Sequence, residues 1–339
     1  MSFIILKLIF ISSIFGISLF IAMYSTYAER KIAAFLQDRI GPNRAGPFGL
    51  LQPLADGVKL FFKEEFIPLK ADRLLFLIGP GFFMVTALMT SAVIPFGPDI
   101  MHEGKLISLQ ATDINVGLLY IFGVISLGVY GVLIGGWASN NKFSLLGAIR
   151  AASQNISYEL AMGMSIVALV MMTSTLSLKE IVDQQAGWHW NVFYQPLSFL
   201  IFLICAFAET NRAPFDLPEC ETELVGGYHT EYSSMKLGFF LFAEYINMFI
   251  SSAVLATLFF GGYHFPGDSS IEPGMMKTVL SVSVMFGKIF FFIFFFMWVR
   301  WTLPRFRFDQ LMKLGWKVLI PLAVINILIT GLVILYKMT

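Results

Sequence analysis

Long apolar runs separated by short polar stretches dominate the chain. A spanning helix needs roughly 20 mostly apolar residues. By that rule the pattern predicts about eight spans, near Phe3–Tyr27, Leu74–Phe96, Val116–Ala138, Ala151–Leu176, Val192–Ala208, Leu237–Gly261, Val279–Trp301 and Trp316–Tyr336. The first run is too long for a signal-peptide core and lacks a small-x-small cleavage pattern, so it reads as an uncleaved first helix. Between the first two spans, Phe48, Leu51, Leu54, Val58, Phe61, Phe62 and Phe66 recur mostly every three or four residues. That spacing predicts an amphipathic helix lying along the membrane surface, either a lateral door for a lipid-soluble ligand or a packing helix under a partner. The turn-rich segment Gly41–Pro47 precedes it.

Composition agrees with the pattern. The 339 residues are 57% hydrophobic and 13% charged, with a mean hydropathy of +0.75; soluble domains carry about 25% charged residues. The expected fold class is therefore an all-α polytopic membrane protein, one membrane domain over residues 1–339. There is no basic run of the kind that binds nucleic acid. Two cysteines, Cys205 and Cys220, are too few for an iron–sulfur cluster, which takes about four thiolates. The four histidines are scattered, with no facing pair for a haem. Any redox centre is thus expected on a partner.

Charge placement sets the expected topology. Sixteen of the 23 Lys and Arg residues fall in loops on one side and three in loops on the other. Positive loops face the cytoplasm, so both termini are expected on the outer, periplasmic side. The cytoplasmic parts are then residues 28–72, 209–236 and 300–313. The middle one is acidic, with Glu209, Asp216, Glu219, Glu221, Glu223 and Glu231 interleaved with apolar residues. Pro214 and Pro218 prevent a regular helix at its start. A solvated face is the bland reading; a metal site is a third, against which the calcium-loop spacing is missing. The mixture favours a loop folded back with several acids partly buried.

Ionisable groups within spans are costly and functional by default. Glu159 and Glu244 are two, and Glu29 and Glu209 are expected to cap inner span ends. Protonation of a buried carboxylate can respond to a nearby charge. Lys288 is expected in a structural ion pair with Glu244 or Glu159. The glycines of the third span, Gly117, Gly123, Gly128, Gly131, Gly135 and Gly136, read as packing positions. Trp188, Trp190 and Tyr194 suit an outer interface.

Ala208–Ser233 resembles the signature of the H subunit of the proton-pumping NADH:quinone oxidoreductase, respiratory complex I, called subunit 1 in organelles. Ala28-Glu29-Arg30-Lys31, Gln37–Arg44, Leu51–Lys59, Gln154–Glu159, Trp298–Leu311 and Leu314–Lys317 are similar to the family's other blocks. Cys220 and Gly226 stand where the family has small residues such as alanine. The resemblance implies the membrane half of a quinone chamber. Glu29, Arg30, Arg39, Asp56, Lys59, Arg212 and Asp216 would line or support it. Glu159, Glu209, Glu219, Glu221, Glu223, Glu231 and Glu244 would form an acidic relay, and Arg300 and Arg305 would position loops. Quinone is then a substrate, with no flavin, haem, iron–sulfur cluster or covalently bound cofactor in this chain. The implied partners are soluble iron–sulfur and quinone-site subunits on the cytoplasmic side, small and antiporter-like membrane subunits, and the bilayer of a bacterial inner membrane in preference to an organelle's. The rival readings are the equivalent subunit of a membrane-bound hydrogenase or deazaflavin dehydrogenase, a stand-alone ion transporter, and a structural anchor for a soluble arm. Length of match and the arginine-rich Pro304–Arg307 favour the quinone enzyme.

Overall fold

The computed structural model describes residues 3–102, 105–217, 224–268, 271 and 274–338. It is a helical membrane bundle. Its helices are α1 (Phe3–Leu36), α2 (Gln52–Phe62), α3 (Arg73–Ser91), α4 (Gly117–Ala138), α5 (Lys142–Thr173), α6 (Leu178–Asp183), α7 (Asn191–Tyr194), α8 (Pro196–Glu209), α9 (Ser234–Phe259), α10 (Met275–Thr302), α11 (Phe308–Lys313) and α12 (Ile320–Met338). A π-helical stretch, Leu314–Leu319, joins the last two. One short antiparallel hairpin, β1 (Ile100–His102) with β2 (Lys105–Ile107), lies between α3 and α4.

Seven helices among the described residues are long and apolar enough to cross a membrane. The expected fifth span is different. Pro196 restarts the helix after a break at Gln195, leaving α7 with four residues and α8 with 14. The first span also differs from its expected range. α1 continues nine residues past Tyr27, so Glu29 and Arg30 sit within a helix rather than at its end. Glu209, in contrast, is the last residue of α8.

Burial orders the bundle. In α9, 72% of the most apolar stretch is buried, against 22% in the α11–α12 span. The last span is therefore peripheral and α9 is the central post, with α1, α3 and α10 among its neighbours.

α3 and α4 make the closest helix pair. A Cβ on Gly131 would lie 2.8 Å from the Phe83 backbone nitrogen, and one on Gly79 would lie 2.9 Å from Gly135 Cα. Only glycine permits that approach. Gly123, however, has nothing nearby, so the packing expectation fails there. Pro80 lies inside α3. A proline lacks the N–H that would bond the carbonyl four residues back. That carbonyl, on Phe76, instead accepts from the Tyr232 hydroxyl at 3.2 Å.

Candidate functional site

Four elements and one loop enclose a cavity of about 370 Å³ at one end of the bundle. α1 contributes Met23, Thr26, Glu29 and Arg30; α2 contributes Pro53, Asp56, Gly57 and Leu60. α9 contributes Gly238, Leu241, Phe242 and Tyr245, α10 contributes Arg300 and Trp301, and Arg212 closes the wall.

α2 is held at two places. Arg30 pairs with Asp56 at 2.7 Å, and Asp56 also accepts from Gln52 at 3.0 Å. At the far end, Ser234 Oγ donates to the Leu60 carbonyl at 3.0 Å. The Phe66 amide donates to Ser233 Oγ at 3.2 Å, and Lys236 pairs with Glu65 at 2.5 Å. The helix is shorter than the expected 48–66, because Lys63 is extended. Its apolar stripe faces outward: Phe61 is 68% exposed and Phe62 81%.

Buried charges converge behind the cavity. Glu29 accepts from Arg300 and from the Tyr245 hydroxyl at 2.9 Å. Arg212 reaches Glu29 at 3.6 Å and Glu244 at 3.2 Å. Its guanidinium also stacks over the Tyr245 ring, 4.2 Å from the centroid. Glu244 accepts from the Tyr228 hydroxyl at 2.8 Å. Glu29, Arg212 and Glu244 are all buried. One arginine thus touches a carboxylate of the cavity wall and a carboxylate of the core helix.

Sequence similarity decides what kind of protein surrounds this site. Residues 8–331 match the family described as NADH dehydrogenase. This chain belongs to that family. The H subunit of NADH-quinone oxidoreductase from Flavobacterium johnsoniae is 67% identical over 337 residues, covering 98% of this chain and 96% of the relative. The first of the numbered H subunits from Cytophaga hutchinsonii is 66% identical over 334 residues, with 98% of each chain covered. The second from Geobacter metallireducens is 51% identical over 332 residues, with 95% and 93% covered. The chain is a multi-pass membrane subunit of NADH-quinone oxidoreductase, a multi-subunit enzyme complex.

In this NADH dehydrogenase family member, the residues expected to form one chamber separate into two groups. Glu29, Arg30, Asp56 and Arg212 line the cavity. Arg39 is exposed and bonds Gln37 at 2.9 Å, while Lys59 lies exposed on α2. Asp216 is buried elsewhere, paired with Arg305 at 3.1 Å. That pair and the Phe306 amide, which donates to the Pro214 carbonyl at 3.1 Å, join the start of the acidic loop to the basic one. Arg300 pairs with Glu29 in the cavity wall.

The expected relay is likewise divided. Glu244 belongs to the Arg212 network. Glu159 and Glu209 stand in one another's field, and each has a buried oxygen without a hydrogen-bond partner among the described residues. Glu231 accepts from Asn141 at 2.5 Å. Glu219, Glu221 and Glu223, with Cys220, lie outside the described residues.

Lys288 corrects the expected ion pair. Its ammonium donates to the carbonyls of Phe260, Gly262 and His264 at 2.7, 2.8 and 2.6 Å, with Trp190 beneath it at 5.2 Å. It meets neither Glu244 nor Glu159. Three further residues hold the site together without having stood out in the sequence. Tyr228 and Tyr245 are network members whose signal was an aromatic beside charge. Gln154 donates to the carbonyls of Ala208 and Phe215, both at 2.8 Å, and so fastens the acidic loop to α5.

Proposed function

We propose that this cavity is the membrane part of the quinone site, and that Arg212 carries its charge state into the membrane. The observation that carries the reading is the arginine shared between Glu29 and Glu244. A cavity of about 370 Å³ falls in the size range of small-molecule sites, and the outward apolar stripe of α2 beside it suits access from lipid.

Reducing a quinone consumes two electrons and two protons. The electrons come from partner subunits that carry clusters. This chain's residues bind, orient and respond. Glu29, Tyr245 and Arg300 hold the wall; a change of charge in the cavity shifts Arg212 between its two carboxylates and alters the field at Glu244. From there Glu159, Glu209 and the acidic loop pass protons or charge toward antiporter-like membrane subunits. Moving one charge outward costs about 2.3 kcal/mol per 100 mV, so the response must be tied to the redox step. Loop charge asymmetry supports outward termini and a cytoplasmic cavity mouth under the soluble subunits, and the relatives in Flavobacterium johnsoniae and Cytophaga hutchinsonii support a bacterial inner membrane.

Glu244→Gln tests the reading. Membrane vesicles with the assembled variant should lose most NADH-driven proton translocation, with quinone-dependent NADH oxidation reduced. Full oxidation and full translocation in an assembled complex would leave the chain a structural anchor for the soluble arm.

A further inference from the structure

A second cluster of titratable side chains lies at the other end of α9, more than two helical turns beyond anything that touches the cavity. α9 stops at Phe259, where the last carbonyls of a helix have no partner of their own. Other elements supply one. Gln185 Nε2 donates to the Thr257 carbonyl at 3.0 Å and Asn191 Nδ2 to the Leu258 carbonyl at 2.8 Å. Gly261 and Gly262 take left-handed backbone angles, φ 70° and 51°, and the chain folds over so that Lys288 collects the carbonyls of Phe260, Gly262 and His264.

His264 is itself gripped from two directions. Nδ1 meets Asp268 Oδ2, and Nε2 faces Asp183 Oδ1, on α6, at 3.4 Å. Tyr263 donates to the same Asp183 oxygen at 2.7 Å. Lys277 pairs with Asp268 at 2.8 Å. One step further out, Lys179 pairs with Asp99 at 2.6 Å. With Lys288, these are the charged and titratable groups that face the imidazole among the described residues.

We propose that His264 is a proton-operated latch, which as an imidazolium clasps α6 to the turn after α9 and keeps that turn seated on Lys288. The chemistry of the ring supports it. An imidazolium has two N–H donors, one for each carboxylate. A neutral imidazole has one donor and one lone pair, so one of the two contacts becomes lone pair against carboxylate. Loss of the proton therefore opens one side of the clasp. Burial disfavours the charged ring, but its hydrogen bonds to Asp183 and Asp268 and their charges outweigh that, and its titration moves above the ordinary histidine value. The latch is closed in acid and opens as pH rises through that raised value. On the orientation proposed above, this loop faces the side that receives protons; acidification there would fix the outer end of the helix that carries Glu244 and Tyr245. Only this last step rests on the proposed function.

Hydrogen exchange of the intact complex tests the latch. The Gly262 amide donates back to the Ala256 carbonyl of α9, and the amides of His264 and Asp268 donate to Gly261 and Phe265 within the turn. Their protection, corrected for the intrinsic pH dependence of exchange, should fall about tenfold, equivalent to about 1.4 kcal/mol, as pH rises past neutrality. In assembled H264N the pH-dependent fall should vanish. Constant protection in the native complex would overturn the proposal. If H264N does not assemble, D183N keeps the ring and removes one carboxylate charge, so the midpoint should drop; an unmoved midpoint overturns it equally. His264 and the cavity lie at opposite ends of α9, so in liposomes titrated on one side only a response to the pH of the cavity side would overturn the latch. In native membrane vesicles of known sidedness, a response to the cytoplasmic pH would refute the orientation and leave the latch standing.

Discussion

Arg212 serves two carboxylates through one planar head group. A guanidinium presents several donors in a fixed fork, whereas an ammonium is a compact point charge. Arg212→Lys should therefore assemble yet lose about tenfold in quinone-dependent NADH oxidation, the rate equivalent of about 1.4 kcal/mol. Arg212→Ala strips buried Glu29 and Glu244 of their shared cation, a change that costs about 3–5 kcal/mol in buried ion pairs. Its expected readout is loss of the subunit from the complex on a native gel. Lys288→Met should act by another route. It abandons three carbonyls, at about 1–3 kcal/mol for each unsatisfied buried group, and should lower the melting temperature of the complex. The pH dependence of the outer cluster has a definite sign. A raised His264 contributes stability that is complete below the ordinary value of 6.5 and lost as pH rises through its folded value. Asp183 and Asp268 are depressed, despite burial, by His264 and by their other partners Tyr263 and Lys277. Their contribution is present above the ordinary 3.8 and lost as pH falls through the folded values. Individual partners were the least legible level of the chain. Glu244 and Lys288 were recognisable as costly intramembrane charges, but pairing depends on which side chains cross the bundle at the same depth.

Helices were legible where apolar runs were uniform and illegible where something polar or short interrupted them. α1 emerges from the apolar zone while staying helical, so hydropathy ends at Tyr27 and the helix at Leu36. That difference matters, because it rigidly orients Glu29 and Arg30. α8 is apolar but, at 14 residues, shorter than a spanning helix, since Pro196 forces a new start. The glycines of α4 were readable as a class, but only packing distinguishes them. Gly131→Ala would drive a Cβ against the Phe83 backbone, which cannot yield as a side chain can. The expected cost is about 1–3 kcal/mol, typical of overpacking, visible as reduced assembly. Gly123→Ala meets open space and should assemble normally, which makes it the matched control.

For the molecule as a whole, the arrangement of α2 is decisive. Asp56 at its middle is fastened to Arg30 of α1 and Leu60 near its end to Ser234 of α9, and its apolar stripe faces away from the bundle. If that stripe guides a hydrophobic quinone, Phe61→Ser should raise KM for a long-tailed quinone and leave a short, water-soluble one unaffected. An unchanged KM for the long-tailed quinone in the variant would assign the stripe to packing alone. The cavity divides the expected site residues by the same logic. Glu29, Arg30, Asp56 and Arg212 come from three separate stretches, and they meet because Arg30 pairs with Asp56 and Arg212 reaches Glu29. Lys59 lies three residues from Asp56 and Arg39 nine from Arg30, yet both are exposed and neither lines the cavity.

The pattern of residues by itself determined that this is a polytopic helical membrane protein and where most spans run, because burying a backbone in lipid demands long apolar helices. Its ordered motifs also carried enough information to place it in the membrane-subunit family of the quinone-linked enzyme. Tertiary structure alone decided that Arg212 links Glu29 to Glu244, that Arg300 belongs to the cavity, and that Lys288 serves carbonyls instead of carboxylates. The reason is physical: hydropathy reports the solvent each segment prefers, whereas ion pairs and caps depend on distances of a few ångströms between segments far apart in the chain.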